Sequence, residues 1–212
     1  MKIIDEKEYY KMSELVKLSK ISNFTISFYN KKGLLPDGIN TSKNMKYYPV
    51  ITLTVLNLIR YLKDNLNFSI DYIKELYDYY DVDFENKEEL IVQAIQMITY
   101  EVTNPVQKHT LNQDGLSKAI KYNLLEDKEI YFKTEVEVLD VFLELNQYDV
   151  STELLKEYIG AAKKLAVLEK QLSDDVYKKR GYLPEVLVLD ILTKFKPFIF
   201  NSQTINKYQE PK

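Results

Sequence analysis

"TISFYNKKGLLPDG", Thr25–Gly38, decides how the first third of this 212-residue chain is read. It sets an aromatic pair, Phe28 and Tyr29, and two cations, Lys31 and Lys32, on one short amphipathic run. It then stops at Gly33 and turns at once into Leu34-Leu35-Pro36. Glycine takes positive φ at little cost, so Gly33 suits the C′ position of a helix that Ser22 or Asn23 can cap at its start. Just upstream, "YKMSELVKLSK" (Tyr10–Lys20) places Met12, Leu15, Val16 and Leu18 on one helical face. Two short helices with almost no linker make a helix-turn-helix.

Outward from there, "LLPDGINTSKNMKYY" (Leu34–Tyr48) reads as extended chain, a polar tip and a return strand, which is a small β-hairpin or wing. Pro49 introduces "VITLTVLNLIRYLKD". Its β-branched content alone would suit a strand, but Leu53, Leu56, Ile59 and Leu62, with Val55 and Leu58, keep helical spacing. "SIDYIKELYDYY" is a further helix with Ser69 as its cap, and "KEELIVQAIQMITYEV" is another.

Helix-turn-helix, "TISFYNKKGLLP", a wing ending "MKYY" and two following helices resemble the DNA-binding domain of the MerR family of transcription regulators over about residues 9–80. In that family the second helix commonly reads Thr, an aliphatic, Arg, an aromatic, Tyr, Glu, then a basic residue and Gly-Leu-Leu-Pro. Thr25, Ile26, Phe28, Tyr29, Lys32, Gly33, Leu34, Leu35 and Pro36 fit. The family's wing usually ends Tyr-Arg-x-Tyr, where Met45, Lys46, Tyr47 and Tyr48 stand here. Ser27 replaces the usual Arg and Asn30 the usual Glu, which removes one phosphate or base contact. The resemblance implies a regulator that holds a promoter in a distorted form, often under control of a C-terminal ligand domain.

Composition narrows the classes. With 45% hydrophobic and 29% charged residues the chain is globular rather than disordered. It has no cysteine, which excludes disulfides, thiolate catalysis and thiol metal sensing, and its one histidine, His109, cannot build a histidine metal site or triad within one chain. Five glycines without a phosphate-loop pattern leave nucleotide binding unsupported, and the cobalamin-binding type of MerR protein finds no motif. Carboxylate pairs such as Asp174-Asp175 and Glu88-Glu89 read as solvated helix faces. No catalytic residue, metal or cofactor is expected. No apolar run has bilayer length, and "MKIIDEKEYYK" is too charged for a signal peptide, so no membrane and a cytoplasmic location are expected.

The formal charge of −3 hides an asymmetry. Tyr9–Lys63 holds nine Lys/Arg against two carboxylates, a balance of +7, whereas His109–Tyr158 holds five against eleven, a balance of −6. The first stretch can meet a polyanion; the second repels one.

The chain also resembles itself. "TLTVLNLIRYLKDNLNFSIDYIKELY" lies over "EVEVLDVFLELNQYDVSTELLKEY" with one gap, matching Val55, Leu56, Leu58, Ile59 and Leu62 to Val138, Leu139, Val141, Phe142 and Leu145. "YNKKGLL" compares with "IKYNLLE", Asn123 takes the place of Gly33, and Tyr131 that of Tyr48. Residues 105–158 thus read as a second, degenerate winged-helix unit with a shorter wing, against the plainer reading that two amphipathic helices agree by chance. Its recognition helix, "GLSKAIKYN", offers only Lys118 and Lys121, so it is expected to contact protein: the dimer partner, the first unit, or the transcription machinery. Beyond it, Leu154, Tyr158, Ala161, Leu165, Leu168 and Leu172 alternate spacings of four and three, a coiled-coil-like heptad run suited to dimerisation. "RGYLP" ends that helix, "EVLVLDILTKFKPFIF" gives one more, and the tail from Asn201 reads as polar and frayed.

The expected architecture is mainly α: a winged helix-turn-helix over 1–83, a connecting helix over 84–104, the acidic second unit over 105–158 and a helical dimerisation region over 159–212. The expected function is a sequence-specific, homodimeric DNA-binding regulator of an inverted-repeat operator, and not an enzyme. Ser22, Asn23, Thr25, Ser27, Tyr29, Lys31 and Lys32 would meet DNA from the second helix, and Lys43, Lys46 and Tyr48 from the wing. One competing reading is a protein-interaction or assembly module that reuses the fold without reading DNA; another is a small-molecule-sensing regulator.

Overall fold

The computed structural model describes residues 2–4, 7–42, 45–100, 102, 105–148, 150–180 and 185–209. The chain is mainly helical and divides into two compact units, one of residues 1–95 with 184–212, the other of residues 96–183.

The first unit opens with strands β1 (Lys2–Ile4) and β2 (Lys7–Lys11), followed by helices α1 (Met12–Ser19) and α2 (Asn23–Lys31). The wing is β3 (Ile39–Ser42) and β4 (Met45–Pro49), and helices α3 (Ile51–Leu66) and α4 (Ile70–Tyr80) follow, with α5 (Lys87–Thr99) beginning in this unit. The four strands form one antiparallel sheet in the order β1-β2-β4-β3, with Tyr10 opposite Tyr48 and Ile39 opposite Tyr47. β1 and β2 are not expected from the sequence, because the partner that turns "KEYYK" into a strand, β4, lies some forty residues further along the chain.

Local chemistry sets the helix ends. Ser22 caps α2, its Oγ accepting the Thr25 N–H at 3.1 Å, and Ser69 caps α4 by accepting the Tyr72 N–H at 3.1 Å. Lys20 and Asn67 end α1 and α3 in the left-handed conformation, and Gly33 does the same one residue after the α2 cap, at φ +71°. The core gathers Leu15, Ile26, Leu34, Leu56, Ile59, Leu62, Ile73 and Leu76, all fully buried. The β-branched start of α3 is helical because its apolar stripe faces this core, which outweighs intrinsic propensity.

The C-terminal helices return to this unit. α9 (Glu185–Asp190) packs on α3, burying Leu189, while the Tyr61 hydroxyl donates to Asp190 at 3.2 Å and shares a 2.5 Å hydrogen bond with Thr193. The helix then widens into a π turn over Ile191–Phe195, where the Lys196 N–H reaches back to the Ile191 carbonyl, before resuming as α10 (Lys196–Gln209). Pro197 accounts for the widening: it has no N–H to offer, and its ring crowds the carbonyl four residues back. The expected frayed tail is helical through Gln209.

The second unit contains β5 (Val106–Gln107), a 3₁₀ turn at Lys108–Thr110 that carries exposed His109, α6 (Gln113–Lys121), β6 (Ile130–Tyr131), α7 (Lys133–Gln147) and α8 (Thr152–Arg180). β5 pairs antiparallel with β6, and the core is Leu116, Ala119, Tyr131, Leu139 and Phe142. Buried Glu135 accepts the Phe132 N–H at 3.0 Å and pairs with Lys128 at 2.8 Å, which satisfies a carboxylate that burial would otherwise penalise. At Gly115 a side chain would collide with Leu143 of α7, so the missing Cβ lets α6 and α7 approach closely.

A boundary at 158/159 is corrected, since it falls inside the single helix α8. Residues 159–212 are likewise not one region: α8 belongs to the second unit, α9 and α10 to the first. The "RGYLP" stop lies, after Arg180, outside the described residues.

Candidate nucleic-acid interface

The helical period sorts α2 into two faces. Ile26 and Tyr29 turn inward, and the opposite side shows Asn23, Phe24, Ser27, Phe28 and Lys31. The Ser22 Oγ and Thr25 Oγ1 share a 2.8 Å hydrogen bond, and Ser27 donates to Asn23 Oδ1 at 3.2 Å. Short polar groups thus line the first turn and a half, where unpaired backbone N–H groups also favour anions.

Two tyrosines sit deeper than a contact surface requires. Tyr29 is only 6% exposed and Tyr48 only 4%, so their rings pack into the core. Burial raises both hydroxyls above the ordinary phenol range, with the Asp64 carboxylate adding to the effect at Tyr29. Each is an inward wedge, one holding α2 and the other holding β4 to the body of the domain.

The cations differ in what they touch. Lys32 Nζ bonds Asp71 at 2.9 Å, in the first turn of α4, and stands 5.8 Å from the Phe28 ring centre. Both ionic partners are solvated, so the pair fixes geometry more than it stabilises. Lys46 Nζ donates to Asn30 Oδ1 at 3.2 Å and lies 5.4 Å from the Tyr48 ring centre, tying the wing to the recognition helix. Asn30, where the MerR pattern usually has Glu, therefore has a structural task. Lys31 is exposed on the outer face. Lys43 lies outside the described residues. Arg60, one of the cations in the basic stretch, is drawn into the scaffold: its guanidinium donates to the Ser19 carbonyl at 2.7 Å and to Asn57 at 3.0 Å.

Two residues escape the sequence reading. Phe24 is 84% exposed at the start of α2, and Lys2 reaches over the Tyr47 ring at 4.8 Å, adding a cation to the sheet. The period itself could have revealed Phe24, which falls opposite Ile26. Nothing local signals Lys2, because only strand pairing brings it there.

The expected dimer residues all lie on α8. Leu154, Tyr158, Ala161, Leu168 and Leu172 are exposed and Leu165 is half-buried, so packing within the chain leaves this stripe largely uncovered. Among the described residues no helix is long and apolar enough to cross a membrane, and no cluster of three His, Cys, Asp or Glu side chains could hold a metal.

Residues 10–80 match the model of the MerR HTH family of regulatory proteins. Along 94% of its length the chain is similar in fold to SCO5550 of Streptomyces coelicolor A3(2), a protein described as a transcriptional regulator; the match covers 95% of that chain, with a TM-score of 0.52 and 15% identity. No curated protein matches the sequence. Residues 10–80 are thus a MerR HTH family domain, the DNA-binding module of a family of transcription regulators that are typically not enzymes.

Proposed function

We propose that this protein is a cytoplasmic, homodimeric transcription regulator that reads an inverted-repeat operator. α2 enters the major groove and the wing grips the flanking phosphates. The observation that carries this reading is the outer face of α2: Asn23, Ser27 and Lys31 one turn apart, with Phe24 beside them, in a MerR HTH domain. Asn23 and Ser27 can address base edges, Phe24 can pack on a thymine methyl group, and Lys31 can meet a phosphate. Lys43 and Lys46 serve the backbone further out. Tyr29 and Tyr48 support the helix and wing from within.

Twofold assembly matches a palindrome, and the exposed stripe Leu154, Tyr158, Ala161, Leu165, Leu168 and Leu172 supplies a contact for it. We assign the stretch from β5 through α7 into α8 to a second, degenerate winged-helix unit that contacts protein, with the transcription machinery among its candidate partners. Support comes from two terminal turns at a constant offset of ninety residues. The N–H groups of Lys32, Gly33 and Leu34 bond the carbonyls of Phe28, Asn30 and Tyr29; those of Tyr122, Asn123 and Leu124 bond Lys118, Ile120 and Ala119. Asn123 is left-handed at φ +56° as Gly33 is at +71°.

Selection of bound duplexes from a random library at two salt concentrations tests the DNA reading. An enriched inverted repeat whose binding weakens steeply with salt is expected. Recovery of no sequence at either salt would remove DNA reading. It would favour an assembly module instead, in keeping with the engagement of Lys32 and Lys46 by Asp71 and Asn30.

A further inference from the structure

The offset that relates α3 to α7 is 83 residues, set by Tyr48 and Tyr131 before each helix. It superposes Leu56 on Leu139 and Ile59 on Phe142, all buried. It also superposes Leu58 on Val141 and Tyr61 on Glu144, and there the two helices part. Leu58 is 3% exposed, and Tyr61 is buried and hydrogen-bonded, because α9 lies across them. Val141 is 57% exposed and Glu144 is on the surface. At this place α7 and the start of α8 leave an open groove of about 330 Å³, lined by Val138, Val141, Phe142, Leu145, Leu155 and Tyr158. The second unit therefore keeps the apolar seat that a C-terminal helix fills in the first unit, and among the described residues no helix lies in it.

We propose that α10 of a second copy of this chain fills that groove. α10 presents an apolar face to solvent: Phe198 is 70% exposed, and Ile199, Ile205 and Tyr208 are exposed with it. Phe198 and Ile205 are seven residues apart, so they fall on one stripe of the helix. Charge is complementary. Glu137 of α7 lines the groove and exposed Glu144 stands two turns further along the same edge, whereas α10 carries Lys196 and Lys207 and no carboxylate. Phe198 and Ile205 on that stripe match a groove whose floor is valine, leucine and phenylalanine. Each copy has one groove and one α10, so a reciprocal exchange satisfies both copies and closes on a twofold axis. The groove is continuous with the proposed dimer stripe, since Tyr158 belongs to both. The inference rests on the dimer reading and adds to it a specific exchange of C-terminal helices.

The chain has no cysteine, which makes cross-linking clean. Full-length Val141→Cys and Phe198→Cys chains, each changed at an exposed position, are mixed, exchanged and oxidised gently. A disulfide joining the two different chains can form only between copies. It is expected as the main product, with cross-links between identical chains minor. Sedimentation of the unmodified protein separates two failures. A monomer at high concentration would end the dimer reading and this inference together. A dimer that yields no mixed disulfide would end the exchange of α10 and leave the α8 stripe as the contact. A chain carrying both substitutions that closes on itself as a monomer would give the groove to its own α10 and also overturn the proposal.

Discussion

Side by side, α2 and α6 share a length of nine residues, a side-chain cap on the third N–H, and a terminal turn with the same three hydrogen bonds. Their outer faces diverge. Asn23, Phe24, Ser27, Phe28 and Lys31 in the first correspond to Gln113, Asp114, Ser117, Lys118 and Lys121 in the second, and Asp114 pairs with Lys118 at 2.7 Å. The first helix is followed by a wing bearing Lys43 and Lys46. The second is followed by Glu126, Asp127, Lys128 and Glu129, and among the described residues no strand there pairs as β3 does with β4. The difference teaches which parts of a helix-turn-helix are fixed by backbone chemistry and which are left to its partner. Cap, left-handed residue and inward leucines hold the geometry, and the outward positions answer only to what they touch.

The largest expected contrast lies on α3 and α7. Leu58→Ala, under α9, should cost about 2–5 kcal/mol through lost burial and a residual cavity. Val141→Ala, at the open groove, should change stability by no more than about 0.5 kcal/mol in dilute solution, where copies are apart. Urea unfolding measures both, and equal losses would mean that the groove is filled within a single chain.

A second contrast concerns charge. Lys31→Ala should weaken DNA binding at every sequence and lower the salt slope by about one. Lys121→Ala, at the matching position of α6, should leave affinity and slope unchanged. Binding titrations over a range of salt would break the comparison if the two variants behaved alike.

Agreement, rather than contrast, is expected at the caps. Ser22→Ala and Asn112→Ala each remove the acceptor for one N–H at a helix start, Thr25 in one and Gly115 in the other. Each should cost about 1 kcal/mol. A loss at one site only would show that the shared hydrogen-bond pattern does not carry shared energy.

The smallest effect is expected from Asn123→Gly. Asparagine already tolerates the left-handed region, so relief of strain should roughly offset the added freedom of the unfolded chain, leaving a net change of a few tenths of a kcal/mol. A large change in melting temperature would show Asn123 to have a side-chain role that Gly33 lacks.

Much of the frame that carries the candidate interface was legible from local pattern. Ser22, Gly33 and Ser69 announced helix ends through their own chemistry, and the spacing of Leu53, Leu56, Ile59 and Leu62 outweighed the β-branched look of α3. The depth of Tyr29 and Tyr48 was not legible because a tyrosine is amphipathic: sequence alone does not say how much of the ring is buried behind the hydroxyl. Lys32, Lys46 and Arg60 counted equally as charge, yet Asp71, Asn30 and the Ser19 carbonyl engage them, and those partners are 16 to 41 residues away in sequence.

By itself the sequence determined the helix-turn-helix, its winged family pattern, the basic and acidic stretches, and the heptad stripe of α8, all of which depend on residues within a few turns of one another. Tertiary structure decided what depends on distant neighbours. β1 and β2 became strands because β4 offered its backbone, α9 crossed the chain to cover Leu58 and Tyr61, and Val141 at the equivalent place was left bare. The physical reason is common to these cases: hydrogen bonds and burial are satisfied by whichever group arrives in space, and periodicity records only the face that is waiting.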